Sequence, residues 1–112
     1  MGWGVRVGTE RARVLSDDFS YTFNVAPLFF ALFPLDSGGI RGLNGKSVAE
    51  ASAAIWAALE CARRMPAEQL AGYEPPNGFG SVAGALGFLD AIKESCDGFA
   101  ADGYPEATVC VT

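Results

Sequence analysis

A chain of 112 residues that is half apolar and 19% charged can build one core and is too apolar for a disordered segment. Its net charge of −5, with eight scattered Lys and Arg residues, argues against duplex nucleic acid as a partner. It has no histidine, which removes the commonest general base, the usual neutral metal ligand and the physiological pH switch.

In chain order, Trp3, Val5 and Val7 alternate with small or charged residues and predict a strand, with no signal peptide before it. Gly8-Thr9 is expected to turn the chain into a return strand over 11–15. After a polar break at Ser16-Asp17-Asp18, Phe19, Tyr21 and Phe23 fall on one face of a period-two segment. The apolar run Val25–Leu35 contains Pro27 and Pro34 and falls short of the roughly 20 residues of a membrane span. It reads as a short buried helix or as an exposed apolar face. Residues 36–45 read as a loop.

Ser47 with Glu50 three residues on is a capping-box pattern, opening a helix to about Met65. Its expected buried stripe is Val48, Ala51, Ile55, Ala58, Leu59 and Ala62. A turn of helix over 67–71 follows Pro66. A second long helix starts at Ser81 and fades near Asp97-Gly98, with Val82, Ala85, Leu86, Leu89, Ile92 and Cys96 inward. Gly84 and Gly87 each weaken it by roughly 1 kcal/mol relative to Ala, which predicts a close backbone approach, most naturally by the first long helix. Ala107–Thr112 is a terminal strand, expected to join residues 3–7 and 11–15. The fold class is α+β: one domain over 1–112, a small, mainly antiparallel sheet from both termini packed against two long helices.

Three cysteines, Cys61, Cys96 and Cys110, fit neither a zinc knuckle nor a redox pair. They read as reduced, mostly buried thiols of a cytoplasmic protein, with a Cys61–Cys96 bridge as the alternative. The apolar excess on so short a chain suggests a homo-oligomer or a partner surface.

The candidate site is the turn Asn77-Gly78-Phe79-Gly80 leading into Ser81. Two prolines, Pro75 and Pro76, stiffen its approach, and a helix start offers unpaired N–H groups to an anion. Phe79 would stack on a flat ring. Asn24 sits between an aromatic strand and a helix entry, Tyr21 could line a cleft, and Arg41 or Lys46 could supply positive charge. The plainer alternative is that Asn24, Asn77 and Ser81 only cap and turn. No P-loop lysine or dinucleotide fingerprint accompanies the glycines, and no Ser or Cys has a His partner. No metal site and no cofactor are expected.

Tyr21-Thr22-Phe23-Asn24-Val25-Ala26-Pro27-Leu28, the lead Leu43-Asn44-Gly45-Lys46, and Pro76-Asn77-Gly78-Phe79-Gly80 followed by Gly84-Ala85-Leu86-Gly87-Phe88-Leu89 resemble a group of small uncharacterised bacterial and phage proteins. The likeness covers roughly residues 20–96. Phe79 departs from the Trp of that group, and Phe29-Phe30 are less polar than its pattern. The resemblance implies no activity. It implies that Asn24 and the turn at 77–80 form one site, and it makes an accessory or host-interaction role the natural setting.

Three functions follow. The first is a non-catalytic binder of a small anionic or nucleotide-like ligand, which in a phage would sequester a host signalling molecule to counter defence. The second is a protein-interaction module that inhibits a host protein through an apolar patch around Phe29, Phe30 and Phe33. The third is a small hydrolase that works without histidine.

Overall fold

Alternation at Trp3, Val5, Val7 and Thr9 puts all four side chains on one buried face of a single strand, β1 (Gly2–Thr9). The computed structural model describes residues 2–9, 14–15, 19–33, 38–76, 78 and 80–112. The expected strand residues 11–13, the break at 16–18, residues 34–37, Asn77 and Phe79 lie outside it.

β1 pairs antiparallel with β2 (Val14–Leu15), β3 (Phe19–Thr22) and β4 (Thr108–Val111). Val5 faces both Phe19 and Val111, and Gly8 faces both Leu15 and Thr108, so β2 and β3 share one edge of β1 and β4 takes the other. The expected turn at Gly8-Thr9 is corrected. Both residues are paired within β1, because Thr9 continues the buried face and is itself buried. The edge of β4 away from β1 is covered. Val109 donates to the Lys46 carbonyl at 2.9 Å, Gly45 donates to the Val109 carbonyl at 2.7 Å, and Val111 donates to Asn44 Oδ1 at 2.9 Å.

After β3 a 3-10 turn over Phe23–Val25 leads into α1 (Ala26–Leu32), with Pro27 in its first turn. The segment expected to be loop instead forms a 3-10 turn over Gly39–Leu43. At about three residues per turn, Ile40 and Leu43 fall on the same side, and both are buried in the core. α2 (Val48–Arg64) carries both hydrogen bonds of the predicted capping box. Its buried stripe is the predicted one except for half-buried Leu59. α3 (Ala67–Ala71) is the short turn after Pro66.

α4 (Val82–Ala101) packs along α2, and together they cover the inner face of the sheet. It runs past the expected stop at Gly98, because Phe99 is buried and extends the apolar side by a turn. The true stop is Gly103 at φ +90°, a left-handed residue just after the last turn. Tyr104 donates to the Phe99 carbonyl at 2.9 Å and Gly103 to that of Ala100 at 3.3 Å, while the Tyr104 and Phe99 rings meet edge to face.

A run of rings joins the layers. Tyr21 of β3 stacks on Phe88 of α4 at 5.6 Å, and Phe88 on Phe29 of α1 at 6.2 Å. Phe29 lies 5.2 Å from Trp3 of β1, which meets Phe23 edge to face at 4.9 Å. Phe23 thus joins Tyr21 in the core through its turn and not through strand alternation.

The expectation for the two helix glycines needs correction. Gly84 faces β3, not α2: a Cβ there would intrude on the Tyr21 hydroxyl and touch Ser81 Oγ at 3.0 Å. Gly87 is exposed, with nothing within 4 Å of such a Cβ, and opens a groove between α2, α3 and α4. Gly84→Ala should therefore cost about 1–3 kcal/mol by overpacking. Gly87→Ala should stabilise by about 0.4–1 kcal/mol through helix propensity. Urea midpoints of the two variants check the opposite signs, and equal shifts would contradict the placement.

Candidate functional site

The start of α4 is built from three parts of the chain. Ser81 holds an extended conformation as N-cap, and its Oγ accepts from the Gly84 N–H at 2.9 Å. The Tyr21 hydroxyl accepts from the Ser81 N–H at 2.9 Å and lies 3.2 Å from the Ser81 carbonyl, to which it donates. Glu74, at the near side of the proline turn, returns its carboxylate to the Val82 N–H. Three donors that could greet an anion, the Ser81, Val82 and Gly84 N–H groups, are thus engaged by the protein's own oxygens, one of them a carboxylate. Glu74 was not singled out from sequence. The legible signal was an acid just before a stiff turn that brings the chain back to a helix start.

The two predicted turns meet at Thr22. Its Oγ1 accepts from the Asn24 N–H at 3.3 Å, and its Cγ2 lies 2.5 Å from where a Cβ on Gly80 would fall. Gly78, the glycine of the Asn-Gly pair, has φ +76°, and Gly80 has φ +87°. Arg41 sets its guanidinium over the Phe23 ring at 6.0 Å, beside Asn24 in the chain. Tyr21, Thr22, Asn24, Gly80 and Ser81 therefore cluster, and Arg41 adjoins them. Lys46 does not join them through the sheet, since its backbone pairs with β4, with β4 and β1 between it and β3. The placements of Asn77 and Phe79 lie outside the described residues.

Elsewhere, Ser52 Oγ donates to Asp97 Oδ1 at 2.5 Å and Lys93 Nζ to Asp97 Oδ2 at 2.7 Å, tying α2 to α4. The hydrogen bonds from Lys93 and Ser52 hold the Asp97 carboxyl below its ordinary pKa, and the bond to Asp97 raises that of Lys93. Neither group is poised to take a proton near neutrality, so this is a clamp between helices and not an activated serine. The hydrogen bonds from Ser47 similarly lower Glu50.

All three cysteines are free, so the Cys61–Cys96 bridge is not formed. Only Cys96 is buried, and burial pushes its thiol up to about 11; Cys61 is half-buried and Cys110 exposed. Among the described residues no group of three Cys, Asp or Glu could hold a metal ion, and no helix is long and apolar enough to cross a membrane.

Two shallow cavities stand out. One of about 570 Å³ lies between Leu59, Met65, Leu70 and Gly87, with Arg63 and Asp90 at its rim. The other, of about 580 Å³, lies over Gly4, Arg6, Ser20, Cys110 and Thr112 on the outer face of the sheet. Neither gathers a set of catalytic groups.

The chain matches no protein-family model, no curated protein and no solved structure.

The clamp has a pH signature. Folding lowers the Asp97 pKa, so its contribution is complete above the ordinary carboxyl value of about 4 and is lost as pH falls through the folded value. Asp97 is half exposed, which keeps the effect small. Asp97→Asn should lose less stability than the parent between about pH 5 and pH 2 in denaturant titrations. Parallel acid limbs would contradict the clamp.

Proposed function

We propose that the chain is a non-catalytic binding protein whose partner is another protein, engaged through the outer face of α1. The observation that carries this reading is Phe30. It is 53% exposed, while its neighbours Phe29 and Phe33 are buried at 0% and 6%. The apolar patch expected around all three phenylalanines therefore contracts to Phe30, with exposed Pro27 one turn back on the same side and exposed Ala31 next to it in the chain. Exposed Asn24 and Arg41 lie nearby in the fold and supply polar groups of the kind found at an interface rim. An exposed aromatic set among small apolar residues is the composition of a binding hot spot. The resemblance to bacterial and phage proteins makes a host protein the natural partner and inhibition the natural effect.

Phe30→Ala removes an exposed ring, so the melting temperature should barely move, while capture of a partner from bacterial extract should fall at least tenfold. Identical captured proteins from the parent and the variant would contradict this reading.

A second reading keeps a small anionic or nucleotide-like ligand at the junction of the two turns. It is favoured by the meeting of Asn24, Thr22 and Gly80, with Arg41 as counter-charge. A native mass spectrum with a small molecule retained by the parent and lost in Arg41→Ala would support it. A bare protein mass would count against it.

A further inference from the structure

We infer that two copies of the chain associate through the outer faces of α2, antiparallel, about a two-fold axis beside Trp56. This rests on a different face from the one assigned to partner binding.

The buried stripe of α2 is Val48, Ala51, Ile55, Ala58 and Ala62. At 100° per residue, the line opposite it runs through Ala49, Ala53, Trp56, Ala57 and Glu60. The first four are exposed, and Trp56 is 57% exposed, so a large ring stands among small side chains on the solvent side of the longest contact between helices. A lone exposed leucine would need no explanation, but a tryptophan flanked by alanines is a knob beside shallow hollows.

Three features select a second copy as the occupant. Trp56 is the central residue of a 17-residue helix, so a two-fold axis there lets the helices overlap along their whole length. The charges are arranged with opposite sign at the two ends: Glu50, whose carboxylate also closes the Ser47 cap, in the first turn and Arg64 in the last, while Arg63 pairs with Glu60 of its own helix. Antiparallel pairing sets each Glu50 against the Arg64 of the other copy, twice by symmetry, whereas parallel pairing sets like against like. The helix dipoles also oppose in the antiparallel arrangement. On one side of the axis the two Trp56 rings meet, and on the other the two Ala57 methyls, which lets the backbones approach closely. The same patch serves both copies, as a two-fold interface requires.

Sedimentation velocity over a range of protein concentrations tests this. The parent should dimerise reversibly. Ala57→Glu sets two like charges beside the axis without touching the core, and should leave a monomer with an unchanged melting temperature. Arg64→Glu opposes Glu50 to a glutamate at both ends and should weaken the dimer about tenfold. Mixing it with Glu50→Lys should restore association, because each end then pairs opposite charges. A parent that stays monomeric at every concentration would overturn the inference. So would a dimer that survives Ala57→Glu with its dissociation constant unchanged. Phe30→Ala should leave the dimer intact, so this inference and the partner-binding reading fail separately.

Discussion

The contact between the Tyr21 hydroxyl and the backbone of Ser81 joins two residues 60 positions apart and decides how the sheet meets its main helix. A phenol can both accept and donate, and here it does both to one residue. Its ring continues the contact into the core by stacking on Phe88, from which the chain of rings passes through Phe29 to Trp3 and Phe23. Moving α4 along its axis would break the polar end and the apolar stack together. Gly84 follows from the same constraint. No side chain fits where the phenol sits, so a helix-weakening residue persists in the first turn of α4.

That arrangement also bears on function. The start of α4 is the place where backbone chemistry alone would most readily hold an anion. Tyr21, Glu74 and the Ser81 side chain occupy the Ser81, Val82 and Gly84 donors instead, and the Glu74 carboxylate adds a charge of the wrong sign for an incoming anion. Exposed apolar groups elsewhere remain available to a partner. Among the described residues the large exposed rings are Phe30 on α1 and Trp56 on α2. A two-fold pair built on Trp56 would present two copies of the Phe30 surface, and paired sites gain avidity when one partner can span both.

Much of this architecture was legible in residue pattern. Period-two alternation located β1, and the Ser47–Glu50 box located the start of α2 to the residue. Positive φ at Gly78 fits the Asn-Gly turn signal, while that at Gly80 was not read from the residues. The errors have physical causes. Thr9 reads as a turn residue, yet burial on the strand face carried β1 through it. Gly98 reads as a helix stop, but one buried aromatic beyond it outweighed a single glycine, and Gly103 ended the helix. Residues 39–43 read as loop because i, i+3 apolar spacing over one turn is too short a signal to separate from chance. Lys46 was assigned to the site from its place in the chain, and backbone pairing with β4 put it across the sheet. The exposure of Trp56 could have been read from its phase, one residue off the buried stripe at Ile55. The return of Glu74 to Val82 depends on the path of the intervening turn, which no periodicity encodes.

The protein's own oxygens take the Ser81, Val82 and Gly84 amides at the start of α4. Titration of inorganic phosphate into isotopically labelled protein, followed through the amide signals of Ser81, Val82 and Gly84, tests it most directly. These three signals should stay in place while exposed surface amides shift weakly and without saturation. A saturable shift confined to the three amides would contradict it.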